Sequence, residues 1–164
     1  MALTVDATDE DLETIVAGLS PDLLQLHGEE TPARVAAVRA AFSLPVMKAV
    51  GVADADDLEG LDAYAAVSDM LLVDAKPPKT ADALPGGNGL TFDWRLVAGL
   101  DPGRPVMLSG GLHPGNVAEA VRLTRLSGVD VSSGVESAPG RKDPDRIRAF
   151  VAAARSAQGE GERE

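Results

Sequence analysis

Six short apolar runs, each followed by a segment whose apolar residues recur at helical spacing, set the tightest limit on how this chain can fold. The runs cover residues 3–5, 23–26, 44–52 (interrupted by Lys48), 70–73, 106–108 and 129–131. Strict strand–helix alternation implies parallel strands joined by right-handed crossovers, which leaves an open doubly wound sheet or units of an eight-unit barrel. Polar or small residues (Asp6, His27, Lys48, Asp74, Ser109, Ser132) end the runs and would gather on one face. A single polar rim favours the barrel, whose chemistry lies at the C-terminal ends of its strands. The expectation is an α/β fold of (β/α)8 TIM-barrel type, N-terminally truncated to six βα units. One domain would span residues 1–158, and the Gly-rich acidic tail 159–164 would be disordered.

Local signals supply the helix boundaries. Thr8 precedes Asp9, Glu10 and Asp11 as an N-cap followed by an acidic first turn, and Leu12, Ile15, Val16 and Leu19 form the stripe. Thr31-Pro32 opens a second helix with the stripe Val35, Val38 and Phe42. A third helix is expected from Asp54, with Leu58, Leu61, Tyr64 and Ala65 inward. Further helices are expected over 93–100 and 114–125, and from Asp143-Pro144 onward with Ile147, Phe150 and Val151 inward. The connection 76–91 holds Pro77-Pro78, Gly86-Gly87 and Asn88-Gly89, a length usual for a functional loop or lid.

Charge and composition exclude several classes. A net charge of −11 argues against nucleic acid or an anionic membrane as partner. No apolar run approaches the ~20 residues of a membrane helix, the N-terminus does not read as a signal peptide, and the absence of cysteine excludes disulfides. The cytoplasm is the expected address. No metal-ligand spacing, P-loop or dinucleotide fingerprint is present.

The stretch 106–136 carries the best-supported activity. Two apolar runs break at Ser109-Gly110-Gly111 and at Ser132-Ser133-Gly134, and the residues between them read as a helix. Small residues at the ends of neighbouring parallel strands leave backbone N–H groups open to an anion, and the last two loops of a barrel are its usual phosphate site. The bland alternative is that they only let helix pack closely on strand. Asp93, at the junction between the long loop and a helix, reads either as an N-cap or as a general acid whose pKa is raised by a lid and apolar rings. His27, Lys48 and Asp74, with Asp130 beside the second turn, would form a polar rim for a carboxylated or hydroxylated substrate. His113, followed by Pro114, reads as a helix-start residue.

Leu24-Gln25-Leu26-His27-Gly28, Leu72-Val73-Asp74, Phe92-Asp93-Trp94, Leu108-Ser109-Gly110-Gly111-Leu112 and Asp130-Val131-Ser132-Ser133-Gly134-Val135-Glu136 together resemble the phosphoribosylanthranilate isomerases. The resemblance implies a (β/α)8 barrel of tryptophan biosynthesis that carries out an Amadori rearrangement of N-(5-phosphoribosyl)anthranilate without metal or organic cofactor. It implies Asp93 as the general acid, the two small-residue turns as the phosphate grip, and a cysteine on the first strand as the base. This chain has no cysteine, and its first unit corresponds to the family's third. A truncated or mis-started product, a fragment needing a partner, and a non-catalytic binder all remain open, with little or no isomerase activity expected of the chain as given. The alternatives are a phosphate-binding or assembly module and a histidine-pathway sugar-phosphate isomerase. The latter would need a phosphate turn in each half, and the first four units show no Gly-rich turn besides His27-Gly28.

Overall fold

The computed structural model describes residues 1–76 and 92–161, with side chains as far as 159. The long connection expected over 76–91, apart from Lys76, lies outside the described residues, as do residues 162–164.

Six strands form one parallel sheet: β1 (Ala2–Thr4), β2 (Leu24–Leu26), β3 (Val46–Val52), β4 (Met70–Ala75), β5 (Val106–Leu108) and β6 (Gly128–Val129). Their spatial order is their sequence order. A doubly wound sheet reverses direction partway along; here every crossover steps the same way, as in a (β/α)8 barrel. Among the described residues β1 and β6 are the edges of this sheet. A separate antiparallel hairpin, β7 (Glu136–Ala138) and β8 (Arg141–Lys142), follows β6 and turns at Gly140 with φ of 74°.

Five α-helices connect and cover the strands: α1 (Asp9–Leu19), α2 (Pro32–Phe42), α3 (Leu61–Ala65), α4 (Val117–Thr124) and α5 (Pro144–Gly161). Thr8 closes a reciprocal cap on α1, accepting from the Asp11 N–H at 3.2 Å while Asp11 accepts from the Thr8 N–H at 3.1 Å. Thr31 caps α2, with Pro32 in the first turn.

Several expected elements are shorter or face differently. The third helix breaks into a 3-10 turn, Asp56–Leu58, and α3, because Gly60 intervenes and the Asp57 carboxylate takes the N–H of Ala53. The segment expected as a helix over 93–100 is a 3-10 turn, Trp94–Val97, ended by Gly99 at φ of 71°. The helix expected from Pro114 starts at Val117, because the Asn116 side chain accepts from the His113 N–H and folds 113–116 into a turn. Leu19, expected inward, is 70% exposed at the last position of α1. Ile147 and Val151 are exposed as well, and α5 instead buries Phe150, Ala154 and Ala157, spaced i, i+4, i+7. The helix runs on to Gly161, with Ala157 the last of these buried residues.

Alternation along the strands divides the core. Val46, Val52, Leu71, Val73, Val106 and Leu108 face the helices, as do Leu24 and Leu26. Met47, Ala49 and Leu72 pack on the opposite face with Met70 and Met107. That second face, at the C-terminal strand ends, carries the polar side chains.

Candidate functional site

Parity determines which residues meet. On β2 the non-helix positions are Gln25 and, one step beyond the strand, His27; on β4 the last is Asp74; beyond β5 and β6 they are Ser109 and Asp130. Gln25 is 2% exposed and Asp74 6%. Gln25 Nε2 lies 3.0 Å from His27 Nδ1, and His27 Nε2 lies 3.3 Å from Asp74 Oδ2. An amide nitrogen only donates, so Nδ1 is the acceptor and the ring hydrogen sits on Nε2, facing Asp74. Next to this row the Ser109 hydroxyl donates to Asp130 Oδ2 at 3.4 Å. Burial pushes the Asp130 carboxyl above the ordinary carboxylate range; the Ser109 bond opposes this and the charge of Asp74 adds to it.

The two small-residue turns are in contact. A Cβ on Gly134 would sit 1.8 Å from the Leu112 carbonyl oxygen, so the loop after β6 lies directly against the loop after β5. Gly110 has φ of 90°, and a Cβ there would come within 2.5 Å of the Ala75 nitrogen, which packs the first turn onto the end of β4. Gly111 follows at φ of 61°, and its carbonyl accepts from Asn116 Nδ2 at 3.1 Å. Among the described residues no protein acceptor takes the N–H groups of Gly110, Gly111, Ser133 or Gly134. Lys142 brings a cation to the second turn, with Nζ 2.9 Å from the Ser132 carbonyl oxygen and 2.7 Å from Glu136 Oε1.

Two expected site residues take other partners. Lys48, grouped with the strand-end residues although the run reaches Val52, lies inside β3 and shares the helix-facing parity of Val46. It is 2% exposed, with Nζ 2.8 Å from Glu30 Oε2, 2.7 Å from the Gly28 carbonyl and 3.4 Å from the Leu26 carbonyl. Burial alone would raise the Glu30 carboxyl; the Lys48 bond and charge, with the Asp6 N–H, outweigh it and hold Glu30 below its ordinary range. Asp93 is exposed, caps the 3-10 turn through the Arg95 N–H, and pairs with the Arg95 guanidinium at 2.8 Å. That pairing lowers its pKa, opposite to the rise expected of a lid-covered acid. Gln25 and Glu30 went unnoticed in the sequence, although a glutamine flanked by two leucines in a buried parallel strand was the available signal. A groove of about 480 Å³ lies at the other end of the sheet, between Arg39 of α2 and Ala66-Val67, away from these groups.

The ordered parallel sheet, with its polar groups at the C-terminal strand ends, places the chain among α/β proteins of (β/α)8 type. The sequence profile described as N-(5'phosphoribosyl)anthranilate (PRA) isomerase matches residues 1–153. This chain belongs to the N-(5'-phosphoribosyl)anthranilate isomerase family. It is 63% identical over 154 residues to the isomerase of Paracoccus denitrificans, covering 94% of this chain and 71% of that protein. It superposes on the crystal structure of the Thermotoga maritima isomerase with a TM-score of 0.80 at 37% identity, covering 94% of this chain and 71% of that one. An isomerase crystallised with reduced 1-(o-carboxyphenylamino)-1-deoxyribulose 5-phosphate matches with a TM-score of 0.75 at 34% identity, covering 94% and 70%. Among the described residues no helix is long and apolar enough to cross a membrane.

Proposed function

We propose that this chain binds N-(5-phosphoribosyl)anthranilate and serves the Amadori step of tryptophan biosynthesis in the cytoplasm. The observation that carries the proposal is the position of the Gln25–His27–Asp74 row and the Ser109–Asp130 pair beside the two touching turns, all at one end of the sheet. The substrate phosphate would sit on the N–H groups of Gly110, Gly111, Ser133 and Gly134, with the Glu136-paired Lys142 ammonium beside the second turn.

Ring opening needs a proton on the ribose ring oxygen as the C1–O bond breaks. Asp74 and Asp130 are the acids placed for it: they are mutually repelling carboxyls, and burial favours the protonated form of Asp130. His27 donates its Nε2 hydrogen to Asp74 and so holds that carboxyl in place. Asp93, ion-paired with Arg95 and sharing no hydrogen bond with this cluster, is read as a cap. The opened imine then loses its C2 proton to a base, and the enolamine tautomerises to the ketose. The resemblance assigns that base to a cysteine, a residue this sequence lacks.

A second reading, phosphate-ester binding without turnover, needs only the two touching turns. Loss of substrate fluorescence, measured together with calorimetric titration of the reduced product analogue, separates the two. Turnover supports the isomerase reading, and binding without turnover supports the second. Absence of binding at millimolar analogue overturns both.

A further inference from the structure

The ion pair between Lys48 and Glu30 lies behind the sheet from the substrate side, yet most of its hydrogen bonds go to backbone on either side of His27. Lys48 Nζ donates to the carbonyl of Leu26, immediately before His27, and to that of Gly28, immediately after it. Glu30 Oε2 accepts from the Gly28 N–H at 2.9 Å, and Oε1 accepts from the Asp6 N–H at 3.0 Å. The His27 N–H itself donates to the Thr4 carbonyl at 2.8 Å. Asp6 in turn accepts from the Glu29 N–H at 2.7 Å. Gly28 has no room to move toward the first loop, because a Cβ there would sit 2.4 Å from Asp6 Oδ1. Both charges are almost fully buried, and the face of the Tyr64 ring lies 5.7 Å from the ammonium.

We propose that Glu30 and Lys48 form a positioning pair that fixes the backbone at 26–28 and thereby locks the His27 imidazole in its Nε2–H orientation toward Asp74. A buried pair of this kind is weak evidence for stability as such, since an apolar substitute of similar volume is often as stable. What apolar replacements cannot supply is the set of directed bonds to the carbonyls of Leu26 and Gly28 and the N–H groups of Gly28 and Asp6. The catalytic side of the proposal rests on His27 and Asp74 belonging to the site; the structural side does not.

The test is ring-nitrogen NMR of the full 164-residue chain, whose only histidines are His27 and His113. His113 shares no bond with the pair and serves as the internal reference. Wild type is compared with Glu30→Gln, Lys48→Met and the double variant, with thermal melts of each. Each single variant leaves a buried charge uncompensated and lowers Tm; the double variant removes both charges and recovers most of it. The expected result is a single Nε2–H pattern for His27 in wild type, and averaged His27 ring signals in all three variants, with His113 unchanged. The double variant would then combine recovered Tm with a mobile His27, a separation that a purely structural role does not produce. Where substrate turnover is measurable, kcat falls about tenfold or more in the double variant and its pH profile changes, with KM less affected. A folded double variant with wild-type His27 signals overturns the proposal, and so does a wild-type chain whose His27 already averages.

Discussion

His27 and Asp74 meet at 3.3 Å across the width of a strand that separates them. They extend from β2 and β4, which both pair with β3 and not with each other. Asp74 is in register with Gly51, and His27 lies one position past the Leu26–Lys48 pair, level with Ala49. The two smallest side chains of β3 thus occupy the ground between imidazole and carboxylate.

Asp74→Asn keeps the shape but removes a carboxyl proton donor that His27 holds in place. If the isomerase reading holds, kcat drops by about 10²–10⁴-fold, the usual worth of a proton-transfer group. Loss of substrate fluorescence measures it, and affinity for the reduced product analogue stays within a few-fold.

Asp130 is held above its ordinary pKa, first of all by burial. A carboxyl raised in the folded state contributes most when protonated, and that contribution is lost as pH climbs through the folded-state value. Asp130→Asn mimics the neutral form at every pH. Its Tm should exceed wild type near neutral pH, with the advantage closing in acid below the model carboxylate pKa of about 3.9. Melts across a pH series check the sign; a variant that is less stable at pH 7 and more stable in acid would contradict the assignment.

Gly134→Ala tests the contact between the two turns. A methyl 1.8 Å from the Leu112 carbonyl has to push one loop away. Affinity for the product analogue should weaken by roughly tenfold, about 1.4 kcal/mol, in calorimetry. Ser133→Ala, which keeps the backbone, should cost far less.

Asp93→Asn probes the residue that the family resemblance marks as the acid. Its carboxylate is exposed and paired with Arg95. The substitution should leave kcat within a few-fold of wild type and shift Tm little. A loss comparable to that of Asp74→Asn would return Asp93 to the chemistry.

The alternation of runs and the caps at Thr8 and Thr31 were legible because short-range chemistry decides them. The direction of Lys48 was not. It was grouped with the strand-end residues although the run reaches Val52, and its shared parity with Val46 and Val52 turns it toward the helices. Counting parity on from Val46 would have placed it there, and counting from Leu24 and Leu26 would have placed Gln25 with His27. The two turns were visible as Ser-Gly-Gly and Ser-Ser-Gly, but their mutual contact depends on tertiary packing that one-dimensional spacing does not carry. Helix faces failed at the ends, where Leu19, Ile147 and Val151 satisfied a periodicity that the neighbouring elements did not meet.

The burial of Lys48 also bears on covalent labelling of the protein. Its amine makes three hydrogen bonds and lies under a tyrosine ring. Lys76 and Lys142, both with side chains partly open to water, will take up an acylating reagent while Lys48 stays unlabelled. Delayed acylation at that one lysine would then report when the loop after β2 opens.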